Sequence, residues 1–294
     1  MTIRNTAAYF VSWFLILTGY VKKSNTKASN SEFILSVYFH NPTKKLFESV
    51  VKWFIKNKYK FISVEDLNEI LKNKSPFPPS TVIFTVDDGW KENKDNIVEI
   101  ANKYNIPVTI FATIEPIEKQ EGFWWSYISK GNSSGIIKKT VKELKDVPNS
   151  FRIKNVLQVK SSIKLEREAL TINELKEMSK NKNILIGSHT LSHPILTKCS
   201  ENLVKHELTE SKNILEKWLE KPIKSFAYPN GEYRAREIEI LKESGYEIAF
   251  STKQQYLTTE NRNQNYSIPR FDVLENVSFT ENICRMTGVW FYRK

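Results

Sequence analysis

The sequence predicts an α/β fold of alternating strands and helices, with enough repeats to suit a barrel better than a flat sheet. That expectation rests on apolar runs of strand length, on the helical-period segments that follow them, and on short polar turns that close several of the runs. At 294 residues the chain can form one large α/β domain or two small ones, and it buries most of its unfolded surface without disulfide staples.

The chain opens on a different note. From Asn5 to Val21 no side chain is charged, and Tyr9, Phe10, Trp13, Phe14, Leu15, Ile16 and Leu17 make the stretch strongly apolar. Its length sits at the short limit for a spanning helix, about 17 residues. A membrane anchor, an interfacial helix, a signal sequence and a helix in the protein's own core compete; the first two are preferred, since Thr26-Lys27-Ala28 is a weak cleavage pattern. If it spans, Lys22, Lys23 and Lys27 outweigh Arg4 and would keep the succeeding domain in the cytoplasm. Lys22 to Ser31 is polar and reads as a linker. Residues 1–30 are therefore expected to be a membrane-associated helix and linker, and 31–294 the folded domain.

Within that domain Phe33 to Phe39 has strand character, and Pro42 marks a loop after His40. Leu46, Val50, Val51, Phe54 and Ile55 recur at helical spacing, and Phe61-Ile62-Ser63 leads into a second helix from Val64. The apolar run Val82-Ile83-Phe84 is a buried strand, followed by a helix from about Asn93 to Tyr104 and a strand from Val108 to Ala112. The stretch from about 115 to 168 breaks this rhythm, is rich in Lys, Ser and Asn, and reads as an insertion between barrel units. Past it come a helix from Ile172, a strand over Ile184–Ile186, and a long helix that Ser200 can cap, with Val204, Leu208, Leu215 and Trp218 on one face. Strand Ser225–Tyr228, a helix after Gly231 and strand Glu247–Ser251 complete the series, and there is no internal repeat.

The net charge of +11 and pI of about 9.4 invite a nucleic-acid reading, but the lysines are spread along the chain instead of clustered. A generally cationic surface suits a membrane surface or anionic glycans better, and no nucleic-acid partner is expected. Cys199 and Cys284 match no zinc-ligand spacing and read as free thiols.

Three strand ends carry chemistry. Thr85-Val86-Asp87-Asp88-Gly89 places two carboxylates where a strand stops; neighbouring side chains on a pleat point to opposite faces, so both serve one site only if the chain leaves the pleat, which Gly89 allows. An ordinary Asp-Gly turn is the alternative. His189-Thr190-Leu191-Ser192-His193 holds two of only four histidines and follows a strand; Pro194 disfavours a helix there, and the glutamate of a His-Glu-x-x-His protease is missing. Two imidazoles and a carboxylate would leave a divalent metal with net positive charge and an open position for water, a hydrolytic arrangement. Ser225-Phe226-Ala227-Tyr228-Pro229-Asn230-Gly231 is a short strand running into a turn.

With these three motifs in this order, the chain from about Phe33 to Trp290 resembles the polysaccharide deacetylase family, the NodB-homology domain. The resemblance implies a distorted (β/α) TIM-like barrel with a metal, most often zinc, at the carboxyl ends of the strands. It implies Asp88, His189 and His193 as metal ligands and Asp87 as general base. A backbone N–H near Asn230 would help hold the oxyanion, and Tyr228 and Pro229 would line the acetyl pocket. The implied substrate is an N-acetylated sugar of a polysaccharide or surface glycan; a glycan-binding protein on the same scaffold and an O-acetyl esterase are the alternatives. Two departures stand out. Ala227 occupies the place of an arginine that pairs with the base in many members, and Arg270 in Ile268-Pro269-Arg270 can supply that charge. The late Leu-x-His motif is absent, since no histidine follows His206; His40 resembles the early histidine of a rearranged branch and would protonate the departing amine. His206 reads as a solvated helix residue, and Phe123-Trp124-Trp125 as either a sugar platform or buried packing. The polymer, the native metal, the membrane side and the oligomeric state stay open at this level.

Overall fold

The computed structural model of the chain describes residues 3–292, so the outermost two residues of the expected anchor and of the expected domain lie outside the described residues. In chain order the strands are β1 (Phe33–Phe39), β2 (Lys60–Phe61), β3 (Thr81–Val86), β4 (Val108–Ala112), β5 (Ile184–Ser188), β6 (Ser225–Ala227), β7 (Ile248–Phe250), β8 (Leu257–Thr258) and β9 (Phe271–Asp272). They form one sheet in the order β7-β6-β5-β4-β3-β1-β8, with β2 added to β3 and β9 to β1. Apart from antiparallel β8, all pairings are parallel.

The sheet curls into a distorted barrel, and its seam lies between β7 and β1. There Ile268 bridges Phe250 in parallel, and just beyond it β9 pairs with Val37 and Tyr38 of β1. Along β1 and β3 the pleat sorts side chains by parity. Val82, Phe84 and Val86 join Leu35, Val37 and Phe39 in the outer core, while Ile34 and Ile83 pack inside with Phe111, Ala227, Phe250 and Ile268. Thr85 and Asp87 share the inward parity of Ile83.

Helices cover the outside. The N-terminal pair α1 (Ile3–Leu17) and α2 (Tyr20–Ser29) is followed by α3 (Lys44–Lys56), α4 (Val64–Lys72) and α5 (Asn93–Tyr104). Ser63 caps α4 reciprocally with Asp66. The stretch expected as an insertion folds as α6 (Ile114–Lys119), α7 (Trp124–Ser133), α8 (Val141–Lys145) and α9 (Asn149–Lys160) around a core of its own that includes Trp124, Tyr127, Ile128 and Val159. Next come α10 (Ile172–Ser179), α11 (Glu201–Leu219), α12 (Ala235–Glu243) and α13 (Phe279–Met286). Ser200 stands at the N-cap of α11, but its side chain makes no capping bond.

The N-terminal region corrects the expected linker. Residues 20–29 are helical, because Val21, Ser24 and Ala28 fall on one buried face, Ser24 Oγ donates to the Thr287 carbonyl at 2.9 Å, and the Ala28 carbonyl accepts from Ser80. Packing of that face outweighs the weak helix propensity of a Ser- and Asn-rich segment. Gly19, at φ 84°, separates α1 from α2. Among the described residues no helix is long and apolar enough to cross a membrane. Both cysteines are buried.

Candidate metal and catalytic site

All three motifs lie at the carboxyl ends of barrel strands. Asp87 continues β3 and donates its N–H to the Phe39 carbonyl at 2.9 Å, so it keeps the inward parity of the pleat. Asp88 leaves the pleat itself: its φ is 75°, followed by Gly89 at 82°. The glycine was the residue expected to make that departure; the backbone places it one residue earlier, in a conformation that costs a non-glycine residue energy and that Asp tolerates better than most. The Asp88 carbonyl is held by the Thr113 N–H at 3.1 Å.

Asp88, His189 and His193 converge so that their ligand atoms all lie within 4.8 Å of one another, all three residues buried. Nε2 of His189 and of His193 sit 3.5 and 3.4 Å from the same oxygen, Asp88 Oδ1. His189 Nδ1 lies 2.7 Å from the Ala227 carbonyl, which can only accept; Nδ1 therefore carries a proton, and Nε2 is the ring atom turned toward Asp88. Burial pushes the His193 imidazole down to about 4 despite the nearby Asp88, so it is neutral at pH 7. Burial opposes ionisation of Asp88, yet the two imidazoles and the field of His40 hold its carboxyl well below the usual range. Gathered this closely, two imidazoles and one carboxylate are a donor set that fits a divalent metal.

The other Asp88 oxygen is occupied: Trp90 Nε1 donates to Oδ2 at 2.9 Å. The His189–His193 loop is pinned from behind by Glu207 of α11, which accepts from the Leu191 N–H at 2.9 Å, the Ser192 N–H at 3.0 Å and the Ser192 hydroxyl at 2.6 Å. Thr190 Oγ1 accepts from the His193 N–H at 3.0 Å. From the insertion, Trp124 Nε1 donates to the His193 carbonyl at 3.1 Å and the Trp125 ring meets the His193 ring edge-on at 4.6 Å. Sequence reasoning missed Trp90, Glu207 and this use of Trp124. Trp90 was readable as the residue directly after Asp-Asp-Gly, whereas nothing local marks Glu207, the neighbour of His206 on the long helix.

Asp87 faces the barrel seam. Arg270 donates Nη1 to Oδ1 at 2.7 Å and Nη2 to Oδ2 at 2.8 Å, a bidentate pair with both partners essentially out of water. Two further donors go to the Thr85 hydroxyl at 3.0 Å and the Ser251 carbonyl at 2.9 Å, and its guanidinium lies 4.5 Å from the centroid of the Tyr38 ring. Burial works against the Asp87 carboxylate, but Arg270 first, and His189 and His40 behind it, hold its pKa below the ordinary value. His40 follows β1, is exposed, meets the Tyr38 ring edge-on at 5.5 Å, and lies near enough for its charge to act on both aspartates.

The third motif is brought to the same end of the barrel. Tyr228 is fully buried, its hydroxyl donates to the Tyr266 carbonyl at 2.9 Å and its ring stacks on Tyr233, so it has no free hydroxyl to offer an acetyl group. Pro229 is buried beside it; Asn230 is exposed at φ 57°, and its side-chain oxygen accepts from Lys145 of α8 at 2.9 Å. His206 is exposed on α11. Phe123 and Trp125 stack at 4.6 Å with an interplanar angle of 6°, with Phe123 buried and Trp125 partly open.

Residues 74–249 match the family model described as polysaccharide deacetylase. Over 262 residues the chain is 24% identical to a poly-beta-1,6-N-acetyl-D-glucosamine N-deacetylase of Staphylococcus aureus, covering 86% of this chain and 77% of that protein. Among solved structures, the Streptococcus pyogenes deacetylase PplD in complex with acetate superposes with a TM-score of 0.61 at 20% identity, covering 87% of this chain and 98% of that one. IcaB from Ammonifex degensii superposes with a TM-score of 0.63 at 14% identity, covering 87% and 97%.

Proposed function

The chain belongs to the polysaccharide deacetylase family, and from that premise we propose that it removes acetyl groups from N-acetylated hexosamine units of a surface glycan, with a divalent metal, zinc by preference, as cofactor. One observation carries this reading: a buried Asp88–His189–His193 cluster lies at the same strand ends as an Asp87 locked by Arg270. A divalent cation held by those three residues would supply Lewis acidity and lower the pKa of a water molecule. Asp87 then serves as the base that takes the proton from the attacking water. Its two oxygens each accept one Arg270 N–H and keep a further lone pair, so the pairing orients the carboxylate without filling it. His40, on the open side, returns a proton to the departing amine. In the Asn230 turn, tied to α8 through Lys145, the Gly231 N–H is already given to the Tyr228 carbonyl, and the backbone N–H of Asn230 is the one that would face the developing oxyanion.

The missing arginine at position 227 favours a binding-only scaffold. The Arg270–Asp87 pair supports an enzyme instead. Metal-stripped protein reconstituted with zinc should release acetate from a glycan carrying N-acetylated amino sugars, and Asp87→Asn should bind metal but release at least about a hundredfold less. Absence of acetate release from every N-acetylated glycan offered, with metal bound, would defeat the reading; release from O-acetylated sugars alone would point to the esterase.

Membrane association is proposed through α1, lying in the interface and not spanning. Ala8, Ser12 and Leu15 are buried, while Ile3, Phe10, Phe14 and Leu17 form the opposite stripe with exposures of 92, 65, 62 and 77%. Exposed Lys22, Lys23 and Lys27 follow on α2, a pattern suited to anionic headgroups. Co-sedimentation with vesicles containing phosphatidylglycerol, lost in Phe10→Glu/Phe14→Glu, is expected. Equal sedimentation of the parent and the double variant would reject it.

A further inference from the structure

The insertion does more than brace the histidine loop. Between α7, α9 and that loop lies a cleft of about 180 Å³, lined among others by Trp124, Trp125, Arg152, Ser192 and the metal-site residue His193. At ~30 Å³ per water this is room for about six waters, or roughly one sugar ring. Arg152 is only 3% exposed. Its Nε donates to Asn149 Oδ1 at 2.8 Å, and its guanidinium carbon lies 4.7 Å from the centroid of the Trp124 ring. The carboxylates that line the same cleft, Glu115 and Glu121, are each paired with a lysine, Lys119 and Lys160. Glu207 acts on Arg152 only at a distance, and its oxygens already accept three hydrogen bonds. Among the described residues no carboxylate forms an ion pair with Arg152. A guanidinium kept out of water without a counter-ion is unfavourable, and a planar anion that accepts its two Nη edges would offset that cost.

We propose that this cleft is a subsite for an acidic sugar residue of the glycan, one whose carboxylate pairs with Arg152 while its ring lies against the Trp125 indole. The inference rests on the deacetylase reading and extends it: the substrate is an acidic heteropolysaccharide and not a neutral homopolymer of N-acetylglucosamine. The net charge of +11 is in keeping with such a polymer.

The test is binding, read by calorimetry on the metal-loaded full chain, so that it does not depend on turnover. An oligosaccharide alternating N-acetylglucosamine with glucuronic acid is compared with the N-acetylglucosamine oligomer of equal length, for the parent, Arg152→Gln and Arg152→Lys. The parent should bind the acidic chain at least about tenfold more tightly, and that ratio should fall at least about tenfold in Arg152→Gln and partly in Arg152→Lys, which keeps the charge but loses the fork. A ratio near one in the parent overturns the proposal, as does a ratio that survives in both variants. Free acetate is titrated in parallel; Arg152-dependent acetate binding without a preference between the oligosaccharides would mean a small-carboxylate site and equally overturn it. Acetate release from the same samples judges the deacetylase reading separately.

Discussion

Replacing Arg270 by glutamine probes how the barrel seam holds the site. In the parent the guanidinium makes two bonds to Asp87 at 2.7 and 2.8 Å, one to Thr85 at 3.0 Å and one to the Ser251 carbonyl at 2.9 Å. Relative exposures of 0% for Arg270 and 2% for Asp87 mean that solvent cannot replace the lost partner. Glutamine is shorter and neutral, so Asp87 stays buried and loses its counter-charge. Removing one side of a buried pair costs about 3–5 kcal/mol. The sign with pH follows from the carboxylate. Its folded pKa is depressed in the parent, so the pair stabilises the fold above the unfolded value of about 3.9, and that contribution is lost as pH falls through the folded value. In the variant burial acts without its main opponent and raises the folded pKa, so the penalty should be largest at pH 7 and shrink toward pH 4. Urea denaturation of the metal-stripped protein at both pH values reads this directly. In an Asp87→Asn background the same arginine replacement should cost at least about 2 kcal/mol less, because no charge is left unpaired. A cost below about 1 kcal/mol at pH 7, or an equal cost in the Asp87→Asn background, would refute the reasoning.

Trp90→Phe removes the donor on Asp88 Oδ2 and should weaken metal binding about 10–100-fold in chelator competition; unchanged affinity would show that the indole does not orient the ligand. Glu207→Ala strips the acceptor from two N–H groups behind the histidine loop, at about 1–3 kcal/mol for each one left buried and unsatisfied, and Glu207→Gln should restore part of the loss in thermal unfolding. Away from the site, Lys72 first, with Lys224 and Asn68, pulls the Glu247 carboxyl down to about 2 against the effect of its burial. Its stabilisation should be present above its unfolded pKa of about 4.3 and fade as pH falls toward 2, so Glu247→Gln should lose stability at pH 6 but match the parent near pH 2.

The elements that carry the metal cluster were legible because each is local. Asp87-Asp88-Gly89 and His189 to His193 follow apolar runs whose length and composition mark strands, and strand ends in a parallel barrel meet at one rim. Composition likewise removed the need for disulfide staples and marked α1 as apolar. What local pattern could not supply was packing. The Ser- and Asn-rich stretch after Gly19 is helical only because Val21, Ser24 and Ala28 find a surface to cover. Nor could local pattern show that the Tyr228 ring lies in the core with its hydroxyl on the Tyr266 carbonyl.

Arg270 and Glu207 show where the boundary falls. The sequence alone determined that the chain has two aspartates, two histidines and a strand-helix series able to bring them to one rim, since those properties depend on neighbours a few residues away. It named Arg270 as a candidate partner for Asp87 but could not place it, because 183 residues separate the pair and only the pairing of β9 with β1 closes that distance. Glu207 carried no mark at all: on a helix bearing exposed charges, an inward glutamate differs from its neighbours only in what the folded chain puts opposite it. Tertiary structure decided which charge orients the base and which carboxylate braces the metal loop, because both depend on burial and on contacts that exist only once the barrel has closed.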